Sequence, residues 1–234
     1  AWNLRYPDAS VFDKMIFWAG GTSGPVVLPG TYSVRLNVGG QRYTQPFVVI
    51  KDPRSTATDA DLREQFDFLM RIREKTSQAN DAVKTIRNIG AQLADREKRM
   101  TGDKRAAFSN LANSLVTKLS AVEGEIYQVR NQSGQDPLNY PIKLNNKIAA
   151  LSGVVGGTDA RPTSQSYTVF NDLSSQLDRQ LQAMRGQLLV LLPPINAQLK
   201  AAGLPPIVPS TEEIKTPPSP GTSAPAPDED EVEK

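Results

Sequence analysis

Acid–base chemistry near neutral pH falls to carboxylates in this chain, because its 234 residues include neither His nor Cys. That absence removes Ser-His-Asp and Cys-His nucleophilic centres, the common zinc ligand sets and a histidine pH switch. Carboxylate pairs, lysine amines and oxygen-ligand calcium sites survive it. Asp8 and Asp13 lie near aromatic residues, as in a sugar site, where two carboxylates face each other about 5–10 Å apart. Their closeness in a turn-rich segment fits turn and capping roles better. Glu123 and Glu125 stand two apart on a helix and so do not share a face. Gly20 to Gly24 is glycine-rich but lacks the Lys-Ser/Thr ending of a phosphate loop. No catalytic residue, metal ligand or cofactor is therefore assigned.

Two clusters remain as candidate contact surfaces. Trp2, Tyr6, Phe12, Phe17 and Trp18 could stack on a sugar or base, or pack against neighbouring protein, since aromatics bury large areas. Packing is the expected role, and it marks this edge as a possible interface. Arg96, Lys98, Arg99, Lys104 and Arg105 form a weak basic patch offset by Glu97 and Asp103. With no interleaved aromatic and no readable motif, it reads as a solvated loop, and no nucleic-acid partner is expected.

The elements that must position these residues fall into three zones. Residues 1–54 are rich in Gly, Pro, aromatic and β-branched residues. Thr31 to Asn37 alternates Tyr32, Val34 and Leu36 against polar neighbours, the period of a half-buried strand. Gly39-Gly40 predicts a tight turn into a partner strand over Gln41 to Ile50, with Pro46 at an edge or bulge. Three or four strands are too few for an immunoglobulin-type sandwich of about seven. A truncated Ig-like portion is expected, with further strands before Ala1.

Residues 55–204 switch to helical period. Leu62, Phe66, Leu69, Ile72, Ala79, Val83, Ile86 and Leu93 mark one helix, capped at Thr58 or Asp59. Phe108, Leu111, Leu115, Leu119, Val122, Ile126 and Val129 mark a second. Ile142 to Val155 suggests a shorter third. Tyr167 to Leu192 marks a fourth, with Pro162 in its first turn, Pro193-Pro194 kinking or breaking it and Gly203 capping its end. The expected class is α+β, mainly α, with an antiparallel four-helix bundle. A coiled-coil dimer is the competing way to cover the stripes.

Residues 205–234 are Pro-rich and predict a disordered, acidic tail. This tail holds seven acids against Lys215 and Lys234, a net of −5, whereas residues 1–204 carry +7. No apolar run is long enough to span a membrane.

The motifs W-N-L-R-Y-P-D at Trp2 to Asp8, L-P-G-T-Y-S-V-R-L at Leu28 to Leu36 and Q-P-F-V-V-I-K-D-P-R at Gln45 to Arg54 occur in that order. Y-P-I-K-L-N-N-K-I-A-A-L at Tyr140 to Leu151, D-A-R-P-T at Asp159 to Thr163 and I-N-A-Q-L at Ile195 to Leu199 follow them. Together they resemble the C-terminal region of secreted bacterial proteins with sortilin-like or BNR-repeat β-propellers, often labelled glycosyl hydrolase-like. In that family an Ig-like module and a helical region follow the propeller. The resemblance implies export to an envelope, periplasmic or extracellular setting, an upstream propeller of the same protein as partner, and an envelope protein or glycan as a further one. It maps no active-site residue onto this chain. The expected function is a noncatalytic accessory module that supports or orients the propeller. The alternative is that the N-terminal aromatics complete the cleft of a secreted glycoside hydrolase or peptidase.

Overall fold

The computed structural model describes residues 2–102 and 104–212. Strands β1 (Gly30–Val38) and β2 (Gln41–Val49) precede helices α1 (Asp59–Arg99), α2 (Lys104–Ile126), α3 (Leu144–Val155) and α4 (Ser164–Ala201). The architecture is mainly helical, with one small two-stranded antiparallel sheet. Among the described residues no helix is long and apolar enough to cross a membrane.

Apolar periodicity makes the helices and then joins them. Helix α1 packs on α2 and α3, and α4 packs on the same two. The shared core holds Phe68, Ile72, Ile89 and Leu93 of α1, Phe108, Leu115, Leu119 and Ile126 of α2, Ile148 of α3, and Leu177, Ile195 and Leu199 of α4, all fully buried. Phe68 sits beside the expected stripe rather than on it. Its ring stacks on Tyr167 at 4.1 Å and meets Phe170 edge-on at 5.3 Å, while Phe66 is only half-buried.

Local signals set the helix ends. At the start of α1, Thr58 Oγ1 accepts from the Asp61 amide and the Asp61 carboxylate accepts from the Thr58 amide, both at 3.1 Å. This reciprocal capping box satisfies donors that have no partner within the helix. Hydrogen bonds from Thr58, with a smaller contribution from Arg161, hold the Asp61 carboxyl below the usual carboxylate range. Helix α4 starts one residue after Thr163, whose hydroxyl accepts from the Ser166 amide at 3.3 Å. Pro162 therefore precedes the cap rather than occupying the first turn. Helix α2 ends at Ile126, which leaves Val129 exposed beyond the expected stripe.

Pro193 and Pro194 do not end α4; the helix runs through both to Ala201. Each proline removes a donor that would have reached four residues back, freeing the carbonyls of Leu189 and Val190. Both residues face solvent, so water can take over those bonds. Gly203, at φ 68°, then closes α4 as expected. The Gly203 amide reaches the Lys200 carbonyl and the Leu204 amide the Leu199 carbonyl, the paired bonds of a Schellman turn.

The tail expected to be disordered from Pro205 begins with an ordered stretch. Residues 205–212 lie against α1 and α4, with Ile207 buried. Composition alone predicted disorder, but here the helices supply the contacts that the segment cannot make by itself. The acidic run Asp228 to Glu231 lies outside the described residues.

Because the Asp61 carboxyl titrates below its unfolded value, its contribution is present above about pH 4 and lost as the pH falls through the folded value. Asp61→Asn is expected to lower the melting temperature at pH 7, and the gap from the parent chain should close on acidification. A gap that stays constant to pH 2 would contradict this role for the cap.

Candidate interaction site

The hairpin is amphipathic and uncovered. Its two-residue turn uses Gly39 and Gly40 at φ 57° and 79°, the left-handed values a tight hairpin turn requires. The register pairs Tyr32 with Phe47, Leu36 with Tyr43 and Ser33 with Pro46. Counting from the turn, Pro46 falls in a non-hydrogen-bonded pair, so its missing donor faces the open edge and costs the ladder nothing. Alternation puts Tyr32, Val34, Leu36, Val38, Tyr43 and Phe47 on one face. Val34, Leu36, Val38 and Tyr43 remain 57%, 58%, 57% and 56% exposed. The expected half-burial is met at the base, by Tyr32, Phe47 and Val49. Neither strand packs on a helix, and two strands alone cannot enclose a core.

Trp2 extends this face. Its ring lies 5.9 Å from Tyr32 and 6.0 Å from Phe47, and its indole nitrogen donates to the Arg5 carbonyl at 2.9 Å. The result is an aromatic base continuous with an aliphatic tip.

The hairpin runs on into α1 through residues 50–58, and the arm over residues 2–29 that precedes it packs along the helices. The arm doubles back on itself, with the Tyr6 amide donating to the Pro25 carbonyl at 2.9 Å and the Val27 amide to Leu4 at 2.8 Å. Gly24 permits this approach, since a Cβ there would sit 2.1 Å from the Tyr6 carbonyl oxygen. Buried side-chain amides then fasten the arm. Asn146 of α3 accepts from the Trp18 amide and donates to the Trp18 carbonyl, both at 2.7 Å. Asn145 donates to Asn80 Oδ1 at 3.0 Å, and Asn80 donates to the Ser10 carbonyl at 2.6 Å. Arg73 of α1 reaches the carbonyls of Pro7 and Asp8 at 2.6 and 3.1 Å. Between arm, hairpin base and helices lies a cleft of about 560 Å³, lined by Leu4, Arg5, Ile50, Phe66 and Gly153, among others. Gln65, buried in its wall, donates to the carbonyls of Val155 and Thr158 at 2.7 and 2.6 Å.

These contacts redistribute the five aromatics. Trp2 joins the hairpin face, while Tyr6 lies edge-on to Phe66 at 5.0 Å. Phe12, at 6% exposure, belongs to the chain's own core. It packs 4.9 Å from Tyr127, with the Arg87 guanidinium 4.7 Å from its ring. Phe17 is half-buried, and Trp18 is exposed beside its clamped backbone. The five thus form no single platform, because the arm wraps the helices instead of standing free of them.

The basic patch is likewise divided. Arg96 pairs with Asp95 and donates to the Pro205 carbonyl, Arg99 lies 3.6 Å from Asp95, and Lys104 reaches the Ala201 carbonyl at 3.4 Å. Lys98 and Arg105 are exposed. Among the carboxylates, Asp8 accepts from the Gly24 amide at 3.0 Å, Glu123 pairs with Arg87 at 2.8 Å and Glu125 with Lys143 at 3.4 Å. They act in turns and ion pairs. Sequence reasoning missed Asn80, Asn145, Asn146 and Gln65; their signal was an amide set within or beside an apolar stripe.

Asn146→Ala strips the Trp18 main chain of two part-buried bonds and is expected to cost about 1–3 kcal/mol. Urea unfolding measures the loss, and faster hydrogen exchange at the Trp18 amide localises it; unchanged exchange would contradict the clamp. The double substitution Leu36→Ser, Tyr43→Ser alters exposed groups, so it should shift stability by at most about 1 kcal/mol. It should also cut binding of a hydrophobic dye several-fold, whereas undiminished dye binding would place the apolar surface elsewhere. Comparison with protein-family models, curated proteins and solved structures gives no match to this chain.

Proposed function

We propose that the chain is a noncatalytic accessory module of a secreted β-propeller protein, in which it supports or orients the propeller. In this reading the hairpin belongs to an Ig-like sandwich completed by strands preceding Ala1, and the helices form an antiparallel four-helix bundle. The observation that carries it is the apolar face of Val34, Leu36, Val38 and Tyr43, which stands uncovered beside an arm fastened to the helices. A second sheet would bury that face in the usual manner of packed sandwiches. The motif order from Trp2 to Ile207 supplies the propeller context and, with it, an envelope, periplasmic or extracellular setting. An envelope protein or glycan is the proposed external partner.

The alternative, in which Trp2 to Trp18 complete a hydrolase cleft, draws less support from aromatics that point to three different environments. Two measurements test the preferred reading. The chain should turn over no substrate in a panel of glycans and peptides; hydrolysis that disappears when Asp8, Asp13 or Glu123 is replaced by its amide would overturn it. In the longer protein, Leu36→Asp with Tyr43→Asp should make the junction with the propeller several-fold more sensitive to limited proteolysis. Unchanged protection would mean that the hairpin face is not the contact.

A further inference from the structure

Beyond Gly203 the chain turns back along α1 as a strap. The Pro205 carbonyl meets Arg96 at 3.0 Å, Val208 meets Gln92, and the Glu212 carbonyl meets Asn88 at 2.8 Å. The three α1 residues are spaced four apart and share one face. The strap therefore descends α1 against its direction.

The grip has a definite chemistry. Asn196 of α4 accepts from the Ile207 amide at 2.7 Å and donates to the Ile207 carbonyl at 3.1 Å. Gln92 does the same for Val208, at 3.0 and 2.7 Å. Two consecutive residues are thus held by paired amides from opposite walls of the groove. From Pro205 to Pro209 one side chain is captured: Ile207 is 2% exposed, while Pro205, Pro206, Val208 and Pro209 face solvent, and Leu204 packs part-buried on the core just before them. From Pro205 to Glu212, among the described residues, no main-chain group of the strap bonds to a main-chain group of a helix. Prolines on both sides of the pair favour an extended backbone and reduce the entropy lost on docking. Main-chain capture combined with a socket for one side chain is how grooves recognise extended peptides.

The geometry points to the α1–α4 groove as a peptide-binding site for a partner protein that presents a proline-flanked aliphatic pair, with the chain's own Pro205 to Pro209 held there in cis. The site stands independently of any β-propeller context. The strap itself defines the ligand class: an extended segment with prolines before and after an Ile-Val pair, its first aliphatic residue entering the socket. As an intramolecular competitor at high effective concentration, the strap lowers the apparent affinity for a partner. Its solvent-facing prolines and single buried anchor leave it open to displacement.

The probe is a fluorescein-labelled peptide of residues 204–212, followed by anisotropy with the full chain. Ile207→Asp ejects the strap from its socket, and circular dichroism reports whether the helices persist. The peptide should saturate the Ile207→Asp chain and bind it at least about tenfold more tightly than the parent chain, in which the groove is filled. Adding Gln92→Ala and Asn196→Ala to Ile207→Asp should abolish that binding, and a scrambled peptide should not bind. Absence of binding to a folded Ile207→Asp chain would overturn the proposal, as would equal binding after loss of both amides. Loss of helicity in both Ile207→Asp and the milder Ile207→Ala would also overturn it, by making the strap a fixed part of the core.

Discussion

A helix uses its own main chain internally, so an irregular segment laid across it finds few free amides or carbonyls. An extended stretch that docks on this helical body must pair with itself, as the arm does at Tyr6 and Val27, or be satisfied by side chains. Asn and Gln suit that task because one group carries both donor and acceptor and can face a peptide unit in two directions. Asn146 does this for Trp18, Asn196 for Ile207 and Gln92 for Val208. Without those pairings the arm and the strap would carry unsatisfied polar groups onto an apolar surface, at a cost that burial of Phe12 and Ile207 would have to exceed.

The same constraint organises the rest of the molecule. The arm is fastened at Ser10 by Asn80 of α1 and at Trp18 by Asn146 of α3, and Asn145, the neighbour of Asn146, donates to Asn80, so α1 and α3 hold it jointly. Phe12 completes the attachment through Tyr127, whose hydroxyl accepts from the Ile16 amide at 3.2 Å. The hairpin beyond the arm makes no comparable bonds to the helices and keeps its apolar face bare. One segment of the chain is therefore committed to the helical core and its continuation is left presenting a surface.

The helices and the hairpin were legible because each is written in a local period: Leu115, Leu119, Val122 and Ile126 at helical spacing, Tyr32, Val34 and Leu36 at strand spacing. Gly39-Gly40, Thr58 and Gly203 were legible as well, since turn and cap chemistry acts within a few residues. The amide attachments were not. Asn80 and Asn145 interrupt apolar stripes and read as polar accidents until partners 70 and 65 residues distant come into place. Proline content made the stretch after Gly203 resemble an unfolded tail, because the groups that order it belong to α1 and α4. Phe12 was grouped with Trp2 for the same reason: adjacency in sequence says nothing about which side of a wrapped arm a ring will face.

The neutrality of these clamps has a consequence of its own. A side-chain amide carries no charge, so it neither titrates in the physiological range nor gathers counterions. The amide bonds to Ser10, Trp18, Ile207 and Val208 are thus ones that acid, alkali near neutrality and salt leave largely untouched. The chain has no histidine with which to sense such changes, and these four attachments are made of groups that ignore them.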